Sequence, residues 1–435
     1  MSKALQYGDD GLDPIERITN AAAEGKTDQI QKILKEAPPA SHQDLKNRAL
    51  LFAAMNGNAS TVKTLLVQSA DQAFSHDGPP HSELCGRTGA VILGHNPTAL
   101  HLAVERGHHA VTKLLLRRAP GFPWMMGVYP RTVFWMTALH VAVSNNDLEM
   151  AELLLRHGVP ADYAYTIGEE FPVTTSGYQP ASGYQWAKDH SPHRRPALYI
   201  AAARGDEEMV RLLLRYGDGV GGWRRKHRWR TMTDLVGCAA WNGRLGVVKF
   251  LLDYGFDMNG HGLGGGPALR DGAEAGHADV VEFLVKKGAR LRGLTTNMGL
   301  LETAVSAGHI SVVRRALEMG QAPADEGDCQ KAIGLAVRED KTEIFGACLE
   351  YASSQAPPLP LDYDGLLRDA VRNGNLRIVQ GLLFRWKSTN WGEEITLDSD
   401  WCVEGAGEVG NYEIVQALLT VNEDLSAEDT KQVPY

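Results

Sequence analysis

The chain has 435 residues, 43% of them hydrophobic, and carries 44 Lys and Arg against 53 Asp and Glu, a net charge of −9 at pH 7. That sign favours solubility and speaks against a general nucleic-acid binder, and no apolar run approaches the roughly 20 residues of a membrane span. Such a length ordinarily means two or three globular domains, unless internal repeats let one elongated body grow without a thick core.

In chain order, the opening MSKALQYGDDGLDP has no apolar signal core, so no secretory leader is predicted. A first helical unit spans about Pro14–Ala37, with Glu16, Arg17, Glu24, Lys26 and Asp28 forming a charged face suited to a solvated N-terminal cap. Pro38-Pro39 punctuates it, and a second unit follows over about Leu45–Ala70. The pattern is plainest at Pro267–Leu291, PALRDGAEAGHADVVEFLVKKGARL. There a short helix ends at Gly276, and a second carries Val280, Val281, Leu284 and Val285 on one face before Gly288 closes it.

The unit recurs. Taking Gly276 as anchor, the equivalent positions are Gly25, Gly57, Gly107, Asn146, Gly205, Gly243, Gly308, Asp340, Gly374 and Gly410. Four residues earlier stands Ala21, Ala53, Ala103, Ala142, Ala201, Ala239, Gly272, Ala304, Ala336, Ala370 or Ala406, small enough to let helices approach closely. Eight and nine residues later come apolar pairs such as Ile33/Leu34, Leu65/Leu66, Leu115/Leu116, Leu154/Leu155, Leu213/Leu214, Leu251/Leu252, Leu382/Leu383 and Leu418/Leu419.

Gly243 to Gly276 is 33 residues, and the next two steps are 32 each. A helix–turn–helix period of about 33 is the ankyrin spacing. Thr98-Ala99-Leu100-His101-Leu102-Ala103 and Thr137-Ala138-Leu139-His140-Val141-Ala142 resemble the T-P-L-H-x-A opening of that family, with weaker matches at Pro196-Ala197-Leu198-Tyr199 and Pro267-Ala268-Leu269-Arg270. The resemblance covers roughly Pro14 to Val421. It implies an all-α ankyrin-repeat solenoid of about eleven helix–turn–helix units, read as a single domain over 1–435 with regular units over about 14–421 and a polar tail at 422–435.

The period is broken between Gly57 and Gly107 (50 residues), Gly107 and Asn146 (39), Asn146 and Gly205 (59), and Gly205 and Gly243 (38). Every excess lies between one unit's second helix and the next unit's first, where the family resemblance implies a hairpin finger beside the concave groove. Long fingers are thus expected at about 70–96, 120–136, 158–195 and 218–232. They are rich in aromatic residues, including Trp124, Tyr129, Phe134 and Trp135, then Tyr163, Tyr165, Phe171, Tyr178, Tyr184 and Trp186, then Trp223 and Trp229. A flexible linker favours Gly, Ser and charge; aromatics at this density mean ordered loops, a binding surface, or a private mini-core. The resemblance also implies that the two residues before each anchor face the groove: Glu105/Arg106, Ser144/Asn145, Ala203/Arg204, Trp241/Asn242 and Glu274/Ala275.

Other motifs have plainer readings beside their chemical ones. His101 and His140 are expected to bond backbone groups between adjacent fingers, as the resemblance implies, and His108, His109, His277 and His309 follow anchors where the family favours histidine. WRRKHRWR (223–230) is a solvated loop, an anion-binding finger or a nuclear-import patch. Asp189, His190 and His193, with Glu169 in the same insert, could supply acid–base groups if the protein were an enzyme. The glycine-rich GHGLGGGP (260–267) lacks the Gly-Lys-Ser/Thr ending of a phosphate loop, and Asn58-Ala59-Ser60 sits at a helix start, so neither receives a role. Cys85, Cys238, Cys329, Cys348 and Cys402 have no metal-ligand spacing, which fits a reducing compartment; Cys238 and Cys348 fall on helical stripes and read as packing residues.

The leading expectation is a cytoplasmic, monomeric scaffold that binds a partner protein through its groove and fingers, with no cofactor and no metal. The binding candidates are Arg106, Trp124, Tyr129, Trp135, Tyr163, Tyr165, Trp186, Arg204, Trp223, Trp229 and Trp241, aromatic and arginine residues being those that dominate interfaces. The rival expectation is a pocket, closed by the fingers, for a small apolar or aromatic ligand, up to a cofactor-independent isomerase, cyclase or condensing enzyme using Glu169, Asp189, His190 and His193. The basic finger at 224–230 leaves nuclear localisation open.

Overall fold

The computed structural model describes residues 13–72, 74, 98–118, 137–161, 197–217, 234–259, 267–289, 299–319, 326–355, 359, 361–389 and 410–419. The chain divides into two compact bodies, Met1–Trp229 and Arg230–Tyr435. The first holds α1 (Pro14–Ala23) with α2 (Thr27–Glu36), α3 (His42–Met55) with α4 (Ala59–Val67), α5 (Ala99–Glu105) with α6 (His109–Arg118), α7 (Ala138–Ser144) with α8 (Leu148–Arg156), and α9 (Ala197–Arg204) with α10 (Glu207–Tyr216). The second holds α11 (Asp234–Trp241) with α12 (Leu245–Asp253), α13 (Ala268–Glu274) with α14 (Ala278–Lys286), α15 (Leu300–Ala307) with α16 (Ile310–Glu318), α17 (Glu326–Arg338) with α18 (Thr342–Ser354), and α19 (Tyr363–Arg372) with α20 (Leu376–Thr389). A turn at Gly410 and a helix over 412–419 follow.

Each pair is one repeat, and local chemistry sets its ends. Asp13 caps α1 through the backbone N–H groups of Ile15 and Glu16, Glu16 answers onto the Asp13 N–H, and Pro14 occupies the first turn, where a missing N–H costs nothing. Between the helices of a pair the chain reverses through one left-handed residue. Every anchor adopts this conformation, with φ between 55° and 86°. Glycine does so without a Cβ clash, and the two exceptions, Asn146 and Asp340, are residue types whose short polar side chains tolerate it.

Within each body the helices form two layers. First helices stack on first helices (α1 on α3, α3 on α5, α5 on α7, α7 on α9; α11 on α13, α13 on α15, α15 on α17, α17 on α19), and second helices do likewise. The small residue four before the anchor lies in the first layer and is fully buried at Ala53, Ala103, Ala142, Ala201, Ala239, Ala304, Ala336 and Ala370. The leucine pairs of the second layer are buried at Leu65/Leu66, Leu115/Leu116, Leu154/Leu155 and Leu213/Leu214, each fully covered leucine contributing about 1.5–3 kcal/mol. Leu252 is half-buried and Leu419 exposed, so the pairing is looser there.

Cys238, Cys329 and Cys348 are free and buried. Among the described residues no cluster of His, Cys, Asp and Glu could hold a metal ion, and no helix is long and apolar enough to cross a membrane.

Candidate interaction surface

The last carbonyls of a helix have no partner inside it. Within each body, those ending a first helix are taken by a side chain of the following repeat. In the first body Asn58 Nδ2 donates to the carbonyls of Ala22 and Ala23, both at 2.8 Å, and His108 Nε2 donates to that of Met55 at 3.0 Å. In the second, His277 Nε2 donates to Trp241 at 2.9 Å, His309 Nε2 to Glu274 at 3.0 Å, and Lys341 Nζ to Val305 at 2.7 Å and Ser306 at 2.5 Å. Asn375 and Asn411 continue the series onto Val337 and Gly374. A carbonyl only accepts, so in these three rings Nε2 carries the hydrogen.

All these donors stand directly after an anchor. In two repeats that position is Asp147 or Asp206, and an ionised carboxylate cannot donate. Each aspartate caps its second helix instead, accepting from the N–H of Met150 at 2.9 Å or Met209 at 3.0 Å. The residue before the anchor takes over the lost bond: Asn145 Nδ2 donates to the Glu105 carbonyl at 3.0 Å, and Arg204 Nη1 to the Ser144 carbonyl at 2.8 Å. His109 Nε2 adds a contact of 3.2 Å to Asp147 from the neighbouring repeat.

This ladder fixes the carboxyl ends of the first helices and the side chains they carry. Glu105 is half-buried, and its Oε2 is buried without a hydrogen-bond partner among the described residues. Burial raises its carboxyl pKa above the ordinary range, and the adjacent Arg106 charge opposes this in part. Arg106 itself is exposed. In the second body the half-buried Trp241 and Glu274 occupy equivalent positions on α11 and α13, and Glu274 is paired at 2.6 Å with Arg270 on its own helix. First-helix ends thus present Glu105 and Arg106 in the first body, and Trp241 and Glu274 in the second.

Of the residues selected from sequence, Arg106 and Arg204 lie at first-helix ends of the first body, and Trp241 lies at one of the second. Trp124, Tyr129, Trp135, Tyr163, Tyr165, Trp186, Trp223 and Trp229, together with Glu169, Asp189, His190 and His193, lie outside the described residues. Arg204 has a task that sequence reasoning did not assign, since its guanidinium ties two repeats together. The Nδ1 of His101 and of His140 meets the hydroxyl of the threonine opening its own repeat, Thr98 at 2.7 Å and Thr137 at 2.8 Å, and His140 Nδ1 also accepts from the Thr137 backbone N–H at 3.3 Å. The ladder donors were missed as a set. Their signal is a column of Asn, His and Lys one residue past the anchor.

A family model for ankyrin repeats matches residues 18–122, 91–166 and 182–261. The chain is 26% identical over 280 residues to the transient receptor potential cation channel subfamily A member 1 homolog of Caenorhabditis elegans, covering 62% of this chain and 20% of the relative. It is 28% identical over 430 residues to the ankyrin repeat and KH domain-containing protein mask-1 of the same organism, covering 87% of this chain and 16% of the relative. The chain therefore spans a fifth or less of the length of either relative.

Proposed function

Because the chain belongs to the ankyrin-repeat family, whose repeats generally mediate protein–protein interaction, we propose that it is an interaction scaffold. In this reading it holds a partner protein against the carboxyl ends of its first helices and the aromatic fingers beside them. The observation that carries the reading is the ladder. It uses Asn58, Asn145, Arg204 and the post-anchor histidines on the frame, while Arg106 is left exposed and Trp241 half-exposed, each at a helix end bonded to the next repeat of its own body. Rigid aromatic and arginine anchors of this kind carry most interface energy, because little conformational freedom is lost when a partner docks.

The same reading places the protein in the cytoplasm, where buried free thiols such as Cys238, Cys329 and Cys348 stay reduced, and has it act as a monomer.

The test is native mass spectrometry of the tagged chain captured from its source cells. The expected result is a stoichiometric protein partner, weakened about tenfold or more by Arg106→Ala or Trp241→Ala with the melting temperature little changed for the former. A bound small molecule with no protein partner would overturn it.

A further inference from the structure

A second surface lies on the opposite layer of the first body. The second helices α4 and α6 pack side by side, and neither contains an aspartate or glutamate: their sequences are ASTVKTLLV and HAVTKLLLRR. Lys63 and Val67 share one face of α4, one turn apart, and Lys113 and Arg117 hold the equivalent positions on α6. All four are exposed, and Lys63, Lys113 and Arg117 form no ion pair among the described residues. Val67 is 61% exposed, at a position where the other repeats of this body carry Lys35, Arg117, Arg156 and Arg215.

The patch has edges. On one side α2 balances Lys32 and Lys35 with Asp28 and Glu36; on the other α8 sets Glu149 and Glu152 against Arg156, and Glu152 pairs with Arg156 at 2.7 Å. The nearest carboxylate along the chain is Asp71, past the end of α4. A group of cations with no ion pair among the described residues and one apolar residue beside them, on a chain of net charge −9, is not needed for solubility.

We propose that Lys63, Val67, Lys113 and Arg117 form a docking surface for an extended acidic segment of a partner protein, separate from the first-helix surface. Spacing and charge select this occupant. Packed helices lie about 8–10 Å apart, and a chain in the extended polyproline II form rises about 3.1 Å per residue with every third side chain on one face. Carboxylates three residues apart on a segment crossing the two helices therefore face Lys63 and Lys113 together, with Val67 one turn away to meet an apolar side chain. Three fixed charges are too few to hold a chain of this size on an anionic bilayer against salt. No aromatic residue stands among them to stack on nucleic-acid bases.

The experiment titrates the full chain with a fluorescein-labelled peptide of about 12 residues, Glu-Leu-Ser repeated to place Glu at every third position, with Lys-Leu-Ser repeats as control. Binding of the Glu peptide alone is expected, weakening as salt is raised to about 0.3 M. Lys63→Glu/Lys113→Glu should weaken it about tenfold or more, and Val67→Ser several-fold with the salt dependence kept. Lys63→Ala/Lys113→Ala, which adds no repulsion and leaves exposed positions, should follow in the same order with an unchanged melting curve. Equal binding by wild type and the charge-reversed variant would overturn the proposal. So would loss only on Arg224→Ala/Arg225→Ala/Lys226→Ala in the basic finger, or binding to phosphatidylserine-containing vesicles without binding to the peptide. Arg106→Ala, which probes the other surface, should leave this affinity as it is.

Discussion

His277 donates a 2.9 Å hydrogen bond from Nε2 to the backbone carbonyl of Trp241, joining the second helix-pair of the second body to the first. The bond takes up a helix-end carbonyl and ties the backbone that carries Trp241 to the next repeat. His277→Ala is expected to lower stability by about 1 kcal/mol, the net worth of a lost hydrogen bond, and to change the tryptophan fluorescence before global unfolding. His277→Asn should restore most of the loss, because Asn58 and Asn375 make the same bond from the same position in their own repeats. Thermal melts followed at two wavelengths check both outcomes, and equal melts for His277→Ala and wild type would remove the ladder's energetic role.

How far the sequence reaches is clearest at these turns. The anchors were legible because a left-handed residue has a narrow choice of side chains, so even Asn146 and Asp340 could be placed by register alone; both have positive φ. The buried alanines were legible for the same reason, since close helix approach admits little else. The exchange between Asp147 and Asn145, and between Asp206 and Arg204, was not. It depends on which donor lies within reach of a carbonyl in the preceding repeat, 40 residues away for Asn145 and 60 for Arg204, and no local pattern encodes that distance. Most candidate contact residues fall in the insertions, which break the period that made the rest readable and lie outside the described residues.

Thr112 offers a test of the core. It is fully buried, its hydroxyl has no hydrogen-bond partner among the described residues, and Val62, Val210, Val248, Val281 and Val313 stand at the same register in other repeats. An unpaired buried hydroxyl costs about 1–3 kcal/mol relative to a paired one. Thr112→Val keeps the shape and removes the polar atom, so it should raise stability by about 1 kcal/mol, read as a higher denaturant midpoint at unchanged slope. A lower midpoint would show that the hydroxyl has a partner in the folded protein.

Gly272 interrupts the alanine column. It lies inside α13 without positive φ, and a Cβ there would meet Val280 Cγ1 at 3.4 Å and Val281 Cγ2 at 3.6 Å, ordinary contact distances. Gly272→Ala should therefore add helix propensity and a little packing, raising stability by about 0.5–1 kcal/mol. Gly57→Ala should do the reverse. Its φ is +75°, and its Cβ would stand 2.7 Å from His108 Nδ1, so strain is joined by displacement of the ring that bonds Met55. Melting curves of the two variants should move in opposite directions.

Two of the three described buried thiols of the second body, Cys329 and Cys348, give the stability a pH signature. Burial pushes Cys329 up to about 11, and burial together with the neighbouring Cys329 pushes Cys348 up to about 12, from an ordinary value of 9.0. The folded state therefore keeps both protons through a range in which the unfolded chain gives them up. Below pH 9 the preference is fully present. As pH rises from 9 towards 11–12 the unfolded thiolates gain free energy that the folded thiols cannot match, and stability falls by up to about 1.4 kcal/mol per pH unit per thiol. Denaturant melts of wild type and Cys329→Ala/Cys348→Ala at pH 8.0 and about 10.5 separate this loss from lysine and tyrosine titration. The double variant starts less stable, since it loses packing, and should lose less on alkalisation. At about pH 8 neither thiol should react with a maleimide until the second body unfolds, because the protonated thiol is not the nucleophile. Prompt labelling of Cys348 in the native protein, or an alkaline loss unchanged by the double substitution, would place these thiols in solvent instead.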